Sequence, residues 1–475
     1  MLLGKYFGTD SEMDSYLTAI SFAFTASALV CAPLSYILVP ELSLIQHKKH
    51  IGGIATHIVR TFYPYLVVLS FLGFLIQNSS NQLYFNQNAI TSAIAWFLLP
   101  LNFGILVFAS VVQMKGGFLY LGIITVIPSL TAFLFCFFAS SRIGIRSALI
   151  GQLFGVIIVI FHLVKNHADN CIIIEGINKR IAKNLPRGLI STLVFSVYPI
   201  SDAYWGKIVG VSTVSHLAYA QKVIVGLSGL IVAGSNIIAF QQIAVFASEG
   251  KNSDLKVYLI KKIITILDLI LPISIIVGIT AETLGLAAIN RFDTGRINAQ
   301  DVISIVKLIQ PMLIGMVFMS TMGFIFKALI AERKGDLAAW ISLIGSLTYF
   351  FMSGIFQYFS GSTGIAYSYM VTWALVFSVS ILKYFTCDFL RATTLDSNNE
   401  IICFFSRNVL SVMLSWWVLN RFSIILKPDP VLQFWIVVAQ VALIVLVFLF
   451  VRLICVSQTI SAVRRFIDVI IKNER

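Results

Sequence analysis

Two ionisable side chains inside apolar stretches are the first candidates for chemistry in this sequence. Lys222 lies six residues beyond the start of an apolar stretch at His216, and Asp202 lies inside the preceding stretch. A lysine inside lipid costs about 3 kcal/mol at a helix centre, so it either binds an anion or extends its ammonium group to the interface. Asp202 could pair with Lys222 or bind a coupling cation. Both interpretations stay open here.

Asp268 is the most deeply placed carboxylate. It lies ten residues inside the stretch 258–281 and four residues before Pro272. A carboxylate at that depth is costly unless it is protonated or paired. A coupling role for Asp268, through a proton, is therefore one interpretation.

Other charged and metal-ligating residues favour plainer interpretations. Lys307 is five residues inside its stretch, from where a lysine reaches the interface. His47, His50 and His57 lie among basic residues in one loop, where a metal cation would be repelled. We therefore predict no metal site, and no phosphate loop or nucleophile–base set suggests an enzyme.

The composition identifies the elements that must position these groups. The chain has 475 residues, of which 58% are hydrophobic and 12% charged, and its mean hydropathy is +0.91. Backbone groups in lipid are satisfied within helices, so the pattern predicts an all-α polytopic integral membrane protein. The net charge of +13 lies mostly in short connections, which the positive-inside rule explains without a nucleic-acid partner.

Thirteen apolar stretches are long enough to predict transmembrane helices. They are 15–40, 60–77, 89–112, 117–139, 144–164, 187–209, 216–247, 258–281, 302–328, 337–359, 363–386, 403–423 and 431–457. Most of the 34 lysines and arginines lie in alternate connections and in the tail. The asymmetry predicts that these connections are cytoplasmic, the N-terminus external and the C-terminus internal.

An internal repeat divides the chain. Leu3 to Gly8 aligns with Trp205 to Gly210 at a constant offset of 202, and a polar turn and a long apolar helix follow each copy. The alignment predicts two pseudo-symmetric bundles at 1–164 and 187–386, joined by a basic cytoplasmic linker at 165–186. Residues 387–475 add two helices and a tail. Helix 187–209 has no first-half partner, so we expect an opening helix of about 20 residues to be missing before Met1.

Three loose motifs in the expected order carry a resemblance to a known family. Asp14-Ser-Tyr-Leu-Thr-Ala, Tyr219-Ala220-Gln221-Lys222 and the loop Arg291 to Asp301 are the motifs. The chain resembles the MurJ/MviN family of lipid II flippases, within the multidrug/oligosaccharidyl-lipid/polysaccharide exporter superfamily. The resemblance implies that Lys222, Tyr219, Gln221 and Asp202 bind substrate, with Lys222 meeting a diphosphate.

The chain also departs from the family pattern. Members carry cavity arginines on a first helix that is absent here, and basic residues where this chain has Ser21 and Ser27-Ala28. The arginine of the eighth helix is Lys222. Asparagines that help to bind sodium in some members are missing around Tyr349 and Ser353.

The expected function is a bacterial inner-membrane carrier that flips a polyprenyl-diphosphate-linked saccharide to the external leaflet. The resemblance implies alternating access, no cofactor, and Na⁺ or H⁺ as the coupling ion. The candidate coupling residues are Asp202 and Asp268, and Asp268 has no counterpart in the family pattern. Expected partners are the lipid-linked oligosaccharide, membrane lipids, and glycan polymerase or ligase proteins. Three alternatives remain: a multidrug-type cation-coupled exporter, a glycan polymerase or ligase, and an inactive homologue that scaffolds glycan assembly.

Overall fold

A computed structural model of the chain describes residues 8–9, 11–43, 50–84, 89–172, 177–292, 297–332 and 334–392. Every regular element in these ranges is a helix, as the composition predicts. The helices are α1 (Ser11–Ser43), α2 (Ile51–Tyr84), α3 (Ala89–Met114), α4 (Phe118–Ile143), α5 (Arg146–His167), α6 (Ile177–Ser196), α7 (Tyr198–Val209), α8 (Thr213–Ser248), α9 (Asn252–Phe292), α10 (Ala299–Ala331) and α11 (Gly335–Ala392).

Nine of the described helical stretches are long and apolar enough to cross a membrane. They are Ser11–Cys31, Ile51–Ser79, Ala89–Met114, Tyr120–Ile143, Arg146–His167, Thr213–Val232, Asp254–Leu286, Ala299–Ala331 and Gly335–Tyr384. The polytopic all-helical fold is thereby confirmed. The predicted spans 403–423 and 431–457 lie outside the described residues.

The predicted span 187–209 is divided between α6 and α7 at Val197. Pro199 has no backbone N–H to bond the carbonyl of Phe195, so the α-helical ladder is interrupted there. The short helix α7 begins at this break and carries Asp202 one turn later. The proline thus sets the direction of the segment on which the acidic group lies.

Helix α11 is a hairpin rather than one rod. Its 50-residue apolar part would be about 75 Å long if straight, far more than the thickness of a bilayer. The hydroxyls of Ser353 and Ser368 are 2.7 Å apart, although 15 residues of straight helix would separate them by about 22 Å. Gly361 adopts a φ of 58°, in the left-handed region that glycine tolerates, and the chain reverses there. The two predicted spans 337–359 and 363–386 are the two arms.

Close packing of small residues joins helices in the first half of the chain. Gly151 and Gly155 of α5 lie one turn apart and face α4, where a Cβ at Gly151 would come within 2.7 Å of the carbonyl of Thr131. Backbones approach this closely only where a side chain is absent, as in membrane helix pairs with the same spacing of glycines. Helix α5 also packs on α3, which packs in turn on α1 and α2.

Helix α1 connects the two halves of the chain. It packs on α3 on one side and on α6, α7 and α8 on the other. Close packing is visible at Gly188 of α6, where a Cβ would come within 2.8 Å of Pro33. All these contacts lie within one compact unit, formed by residues 1–263 and 294–384.

Residues 264–293 and 385–475 form a second compact unit, of which the structure describes the parts 264–292 and 385–392. Asp268 belongs to this unit. The boundaries predicted at 164, 186 and 386 stay predictions.

Candidate functional site

Lys222 is on α8, two turns from its start, and its side chain is exposed. Its ammonium nitrogen lies 5.6 Å from the centroid of the Tyr219 ring, a distance at which a cation and an aromatic face attract. Lys222 is also within electrostatic range of Cys136 on α4. Since α4 belongs to the first half of the chain and α8 to the second, this interaction is between the two halves.

Asp202 is buried on α7, with 5% of its surface exposed. One carboxylate oxygen accepts a hydrogen bond from the Tyr349 hydroxyl of α11, and the other accepts one from the Gln221 amide of α8. The carboxylate therefore joins three helices. Within the described residues it forms no ion pair with Lys222, and its two oxygens bond to Tyr349 and Gln221 instead.

Aromatic rings surround the Asp202 carboxylate. The Tyr198 ring, one turn before Asp202, lies 4.4 Å from that of Tyr349 and 4.9 Å from that of Tyr369, centroid to centroid. It also stacks at 6.0 Å on Trp373. These rings exclude water from the carboxylate, and this makes its two hydrogen bonds energetically important.

A second cluster connects the starts of α1 and α8. One oxygen of Asp14 accepts a hydrogen bond of 2.7 Å from the backbone N–H of Ser212, and the other accepts one of 2.8 Å from that of Ser215. These N–H groups lie at the start of α8 and have no partner within their own helix. The Ser212 side chain makes no capping bond in the described structure. Asp14 therefore caps α8 from another helix, where its negative charge also complements the helix dipole.

Two further bonds strengthen this junction. The Tyr219 hydroxyl donates to the carbonyl of Gly8 over 2.9 Å, and the Ser215 hydroxyl lies 3.3 Å from the carbonyl of Thr9. We name the contacts of Gly8, Thr9 and Asp14 with the start of α8 the interbundle lock. The basic asymmetry of the sequence predicts that this end of the bundles is external.

His216 extends the network within the second half of the chain. Its Nε2 lies 3.1 Å from a carboxylate oxygen of Asp301 on α10. The other oxygen of Asp301 accepts from the backbone N–H of Asn298, whose side chain in turn caps Asp301. This reciprocal capping box fixes the Asp301 carboxylate at the helix start. His216 thus ties α8 to α10.

The structure brings together Asp202 of α7 and Gln221 of α8 by a direct bond, and Tyr219 and Lys222 are close to Gln221 in the sequence of α8. Asp268 is buried, but it belongs to the other compact unit, so its coupling role stays a prediction. Among the described residues no group of three or more His, Cys, Asp or Glu side chains could hold a metal ion.

Several residues of these networks, Asp14 and Tyr349 among them, did not appear among the predicted site residues. Asp14 begins the first motif quoted above, and an acidic residue there also suits the first turn of its own helix. Tyr349 lies in the region where the asparagines expected from the family resemblance are missing. Both residues can be read from the sequence, but their hydrogen-bond partners on distant helices cannot.

The comparison with protein-family models decides the relationship. The model described as "Lipid II flippase MurJ" matches residues 3–439, nearly the whole chain. The chain belongs to the MurJ family. The resemblance inferred from the three sequence motifs is confirmed.

Solved structures agree with this MurJ assignment at the level of the fold. A structure described as "Lipid II flippase MurJ, inward closed conformation" is 17% identical, covers 97% of this chain and 95% of its own, and superposes with a TM-score of 0.71. A superfamily transporter from Pyrococcus furiosus is 12% identical, with coverages of 80% and 87% and a TM-score of 0.54. The eukaryotic MATE transporter AtDTX14 is 13% identical, with coverages of 80% and 89% and a TM-score of 0.59. No functionally curated protein matches the chain in sequence.

Proposed function

We propose that this MurJ-family protein flips a polyprenyl-diphosphate-linked saccharide from the cytoplasmic to the external leaflet by alternating access. It moves this substrate without changing it chemically. The observation that carries the proposal is Lys222, an exposed cation on α8 at the basic position of the family motif. A diphosphate needs such a cation in an accessible cavity, and an ammonium group binds phosphate while allowing its release.

The interbundle lock supports alternating access. Asp14 holds the start of α8 by two backbone hydrogen bonds, at the end that the sequence predicts to be external. A carrier that takes its substrate from the cytoplasmic side must close the opposite side meanwhile. Hydrogen bonds between helix ends suit that purpose because they break without disturbing either helix.

The environment of Asp202 argues against the multidrug exporter. Extruding organic cations requires an acidic group that the cation can reach. Asp202 is buried, and both of its oxygens accept hydrogen bonds from within the protein. Lys222, the exposed cation at the basic position of the family motif, suits an anionic substrate instead.

The remaining parts of the proposal follow from the family and the sequence. Transport is driven by an ion gradient or the membrane potential, with Na⁺ or H⁺ as the coupling ion and no resident cofactor. The protein works in the inner membrane of a bacterium among membrane lipids. Glycan polymerase or ligase proteins are the partners that would use the flipped lipid.

Replacement of Lys222 tests the proposal. In a strain that depends on this protein for glycan export, Lys222→Ala should reduce export at least about tenfold, because one charged hydrogen bond to the diphosphate is lost. Lys222→Arg should retain export, since a guanidinium also binds phosphate. Lys307→Ala is the matched control, as Lys307 is an exposed lysine of α10 outside the motif. Equal export by the two alanine variants would show that Lys222 does not bind substrate.

The predicted orientation has its own test. Single cysteines placed near Lys5 and Ile470 should react with a membrane-impermeant maleimide from outside in the first case and only after permeabilisation in the second. Equal labelling of both positions in intact cells would refute the orientation and the external placement of the lock.

A further inference from the structure

A thiol and an imidazole meet where the start of α2 contacts the segment that follows α5. The Cys171 sulfur lies 3.6 Å from Nδ1 of His57, which is within hydrogen-bond distance for sulfur. The Cys171 thiol is free and exposed, and His57 is half-buried. A thiol beside an imidazole is a nucleophile beside a general base. The two residues are 114 positions apart in the chain, so no local pattern of the sequence predicts this pair.

The backbone around this pair is tightly packed. The Ile172 N–H donates a hydrogen bond of 3.2 Å to the carbonyl of Gly53 on α2. A Cβ at Gly53 would come within 2.3 Å of the Asn170 carbonyl, so the two backbones touch and leave no room for a side chain between them. We name these contacts, together with the Cys171–His57 pair, the linker clasp. The clasp holds the beginning of the predicted linker 165–186 against the first half of the chain.

The charge of the surrounding sequence indicates which reagent would reach the thiol. The connections 41–60 and 165–187 each carry more basic than acidic residues, and the basic asymmetry predicts that both are cytoplasmic. An excess of positive charge attracts anionic molecules. Disulfides in the cytoplasm are mostly transient and redox-sensing, because the compartment keeps thiols reduced. A small anionic disulfide, such as that of glutathione, therefore suits this site.

We propose that Cys171 is a thiol–disulfide exchange site for a small anionic disulfide, with His57 as its general base, and that the resulting mixed disulfide opens the linker clasp. His57 takes the proton of the Cys171 thiol, and the thiolate attacks one sulfur of the disulfide. The S–S bond of the reagent breaks as the new S–S bond forms. The leaving thiolate receives the proton from the imidazolium. Cys171 is thereby oxidised, and one half of the reagent is reduced to a thiol.

The mixed disulfide acts on the clasp in two ways. It removes the thiol that meets His57, and it places a bulky group beside the backbone contact between Ile172 and Gly53. Because the two backbones already touch, the contact has no slack to absorb this group. The linker is thereby released from α2. Since the linker joins the two predicted bundles, the modification acts on the connection between them and leaves the substrate-binding residues untouched.

The reaction of the purified full chain with oxidised glutathione tests the exchange site. Peptide mass spectrometry reads each cysteine separately, so no native cysteine has to be replaced. Cys171 should form the adduct at least about tenfold faster than Cys31 and Cys136, which are buried. An adduct at Cys171 that forms no faster than at these two cysteines would overturn the proposal.

Replacement of His57 tests the general base. His57→Ala should slow the reaction of Cys171 at least about tenfold, because no group then takes the thiol proton. Loss of packing alone would expose the thiol further and speed the reaction, so the direction of the change distinguishes a base from a structural residue. His162→Ala is the matched control and should react as the wild type does, since His162 bonds to Asn166 at 3.2 Å. Equal rates for the two variants would refute the role of His57.

Hydrogen–deuterium exchange of the Ile172 amide measures the opening of the clasp. After complete reaction at Cys171, this amide should exchange about twofold to tenfold faster, the range expected for the loss of one neutral hydrogen bond. Dithiothreitol, which removes the adduct, should restore the original rate. An unchanged rate in the fully modified protein would overturn the opening of the clasp. Neither measurement involves substrate or flipping, so the result does not depend on the proposed function.

Discussion

Asp14 and His216 occupy equivalent positions of the internal repeat, since the offset of 202 relates them, yet they bond in different directions. Asp14, near the start of α1, crosses to the other half of the chain and caps α8. His216, near the start of α8, stays within its own half and bonds to Asp301 of α10. The same position of the repeat therefore has two roles. In the first copy Asp14 joins the two halves of the chain, and in the second copy His216 joins two helices of one half.

The difference shows how a symmetric scaffold acquires a direction. If both residues bonded across the two halves, the starts of α1 and α8 would each be held by the other half. Opening would then release both helix starts at once. With His216 anchored to Asp301, α8 keeps its position in the second bundle when Asp14 lets go. The lock can then open as a movement of α1 relative to a fixed α8, which is what rocking of two bundles requires.

The largest effect should come from Asp14→Asn. The amide retains an acceptor for one N–H but presents an NH₂ group to the other, so a charge-assisted bond is lost. The external end should open about tenfold to a hundredfold more often, because such a bond contributes roughly 1.5–3 kcal/mol. Labelling of Lys222→Cys by an impermeant maleimide from outside, with the six native cysteines replaced by serine, measures the opening.

Glu12→Gln provides the matched control for that change. Glu12 lies in the same first turn of α1 and loses the same charge, but its side chain is exposed. Its labelling rate should equal that of the protein with Asp14 intact. If the two variants label at the same rate, Asp14 is not part of a lock.

An intermediate effect is expected from His216→Asp. This change places a second carboxylate beside Asp301, and repulsion at such a distance should lower the free energy of unfolding by about 2 kcal/mol near neutral pH. Acidification protonates one of the two carboxylates, so the repulsion within this variant should weaken as the pH falls. Thermal unfolding in detergent at two pH values measures it.

His216→Asn separates repulsion from simple loss of the bond. It removes the bond to Asp301 without adding a charge, so near neutral pH it should destabilise the protein less than His216→Asp does. Neither variant should raise the external labelling of Lys222→Cys, since His216 bonds within one bundle. Raised labelling would mean that both copies of the repeat contribute to the lock.

The smallest effect should come from Ser212→Gly. Ser212 has a φ of 70°, a left-handed conformation that costs a residue with a side chain about 1 kcal/mol or more. Glycine removes this cost and keeps the backbone N–H that Asp14 accepts. The closed state should gain up to about fivefold, seen as slower labelling from outside. Ser212→Ala, which keeps the strained backbone, should label as the serine does; faster labelling of the glycine variant would contradict the argument.

The sequence predicted the helices well because the information is local. Apolar stretches of the right length mark the spans, and a proline such as Pro199, which interrupts the span 187–209, is equally local. The two spans on either side of Gly361 were also predicted, and the structure shows them as arms of one hairpin. Lys222 and Asp202 were identifiable because an ionisable group stands out in an apolar stretch.

The sequence by itself determined what kind of protein this is: a helical membrane carrier of the MurJ family, with a repeat and a basic position in its eighth-helix motif. Only the tertiary structure decided which groups meet. Asp14 lies 198 residues from Ser212, and Asp202 lies 147 residues from Tyr349. Neither pair leaves a local pattern, because a hydrogen bond between distant helices depends on how their axes pack and not on the residues between them. For the same reason Asp202 suggested an ion pair with Lys222 in the sequence, and the fold gave it Tyr349 and Gln221 instead.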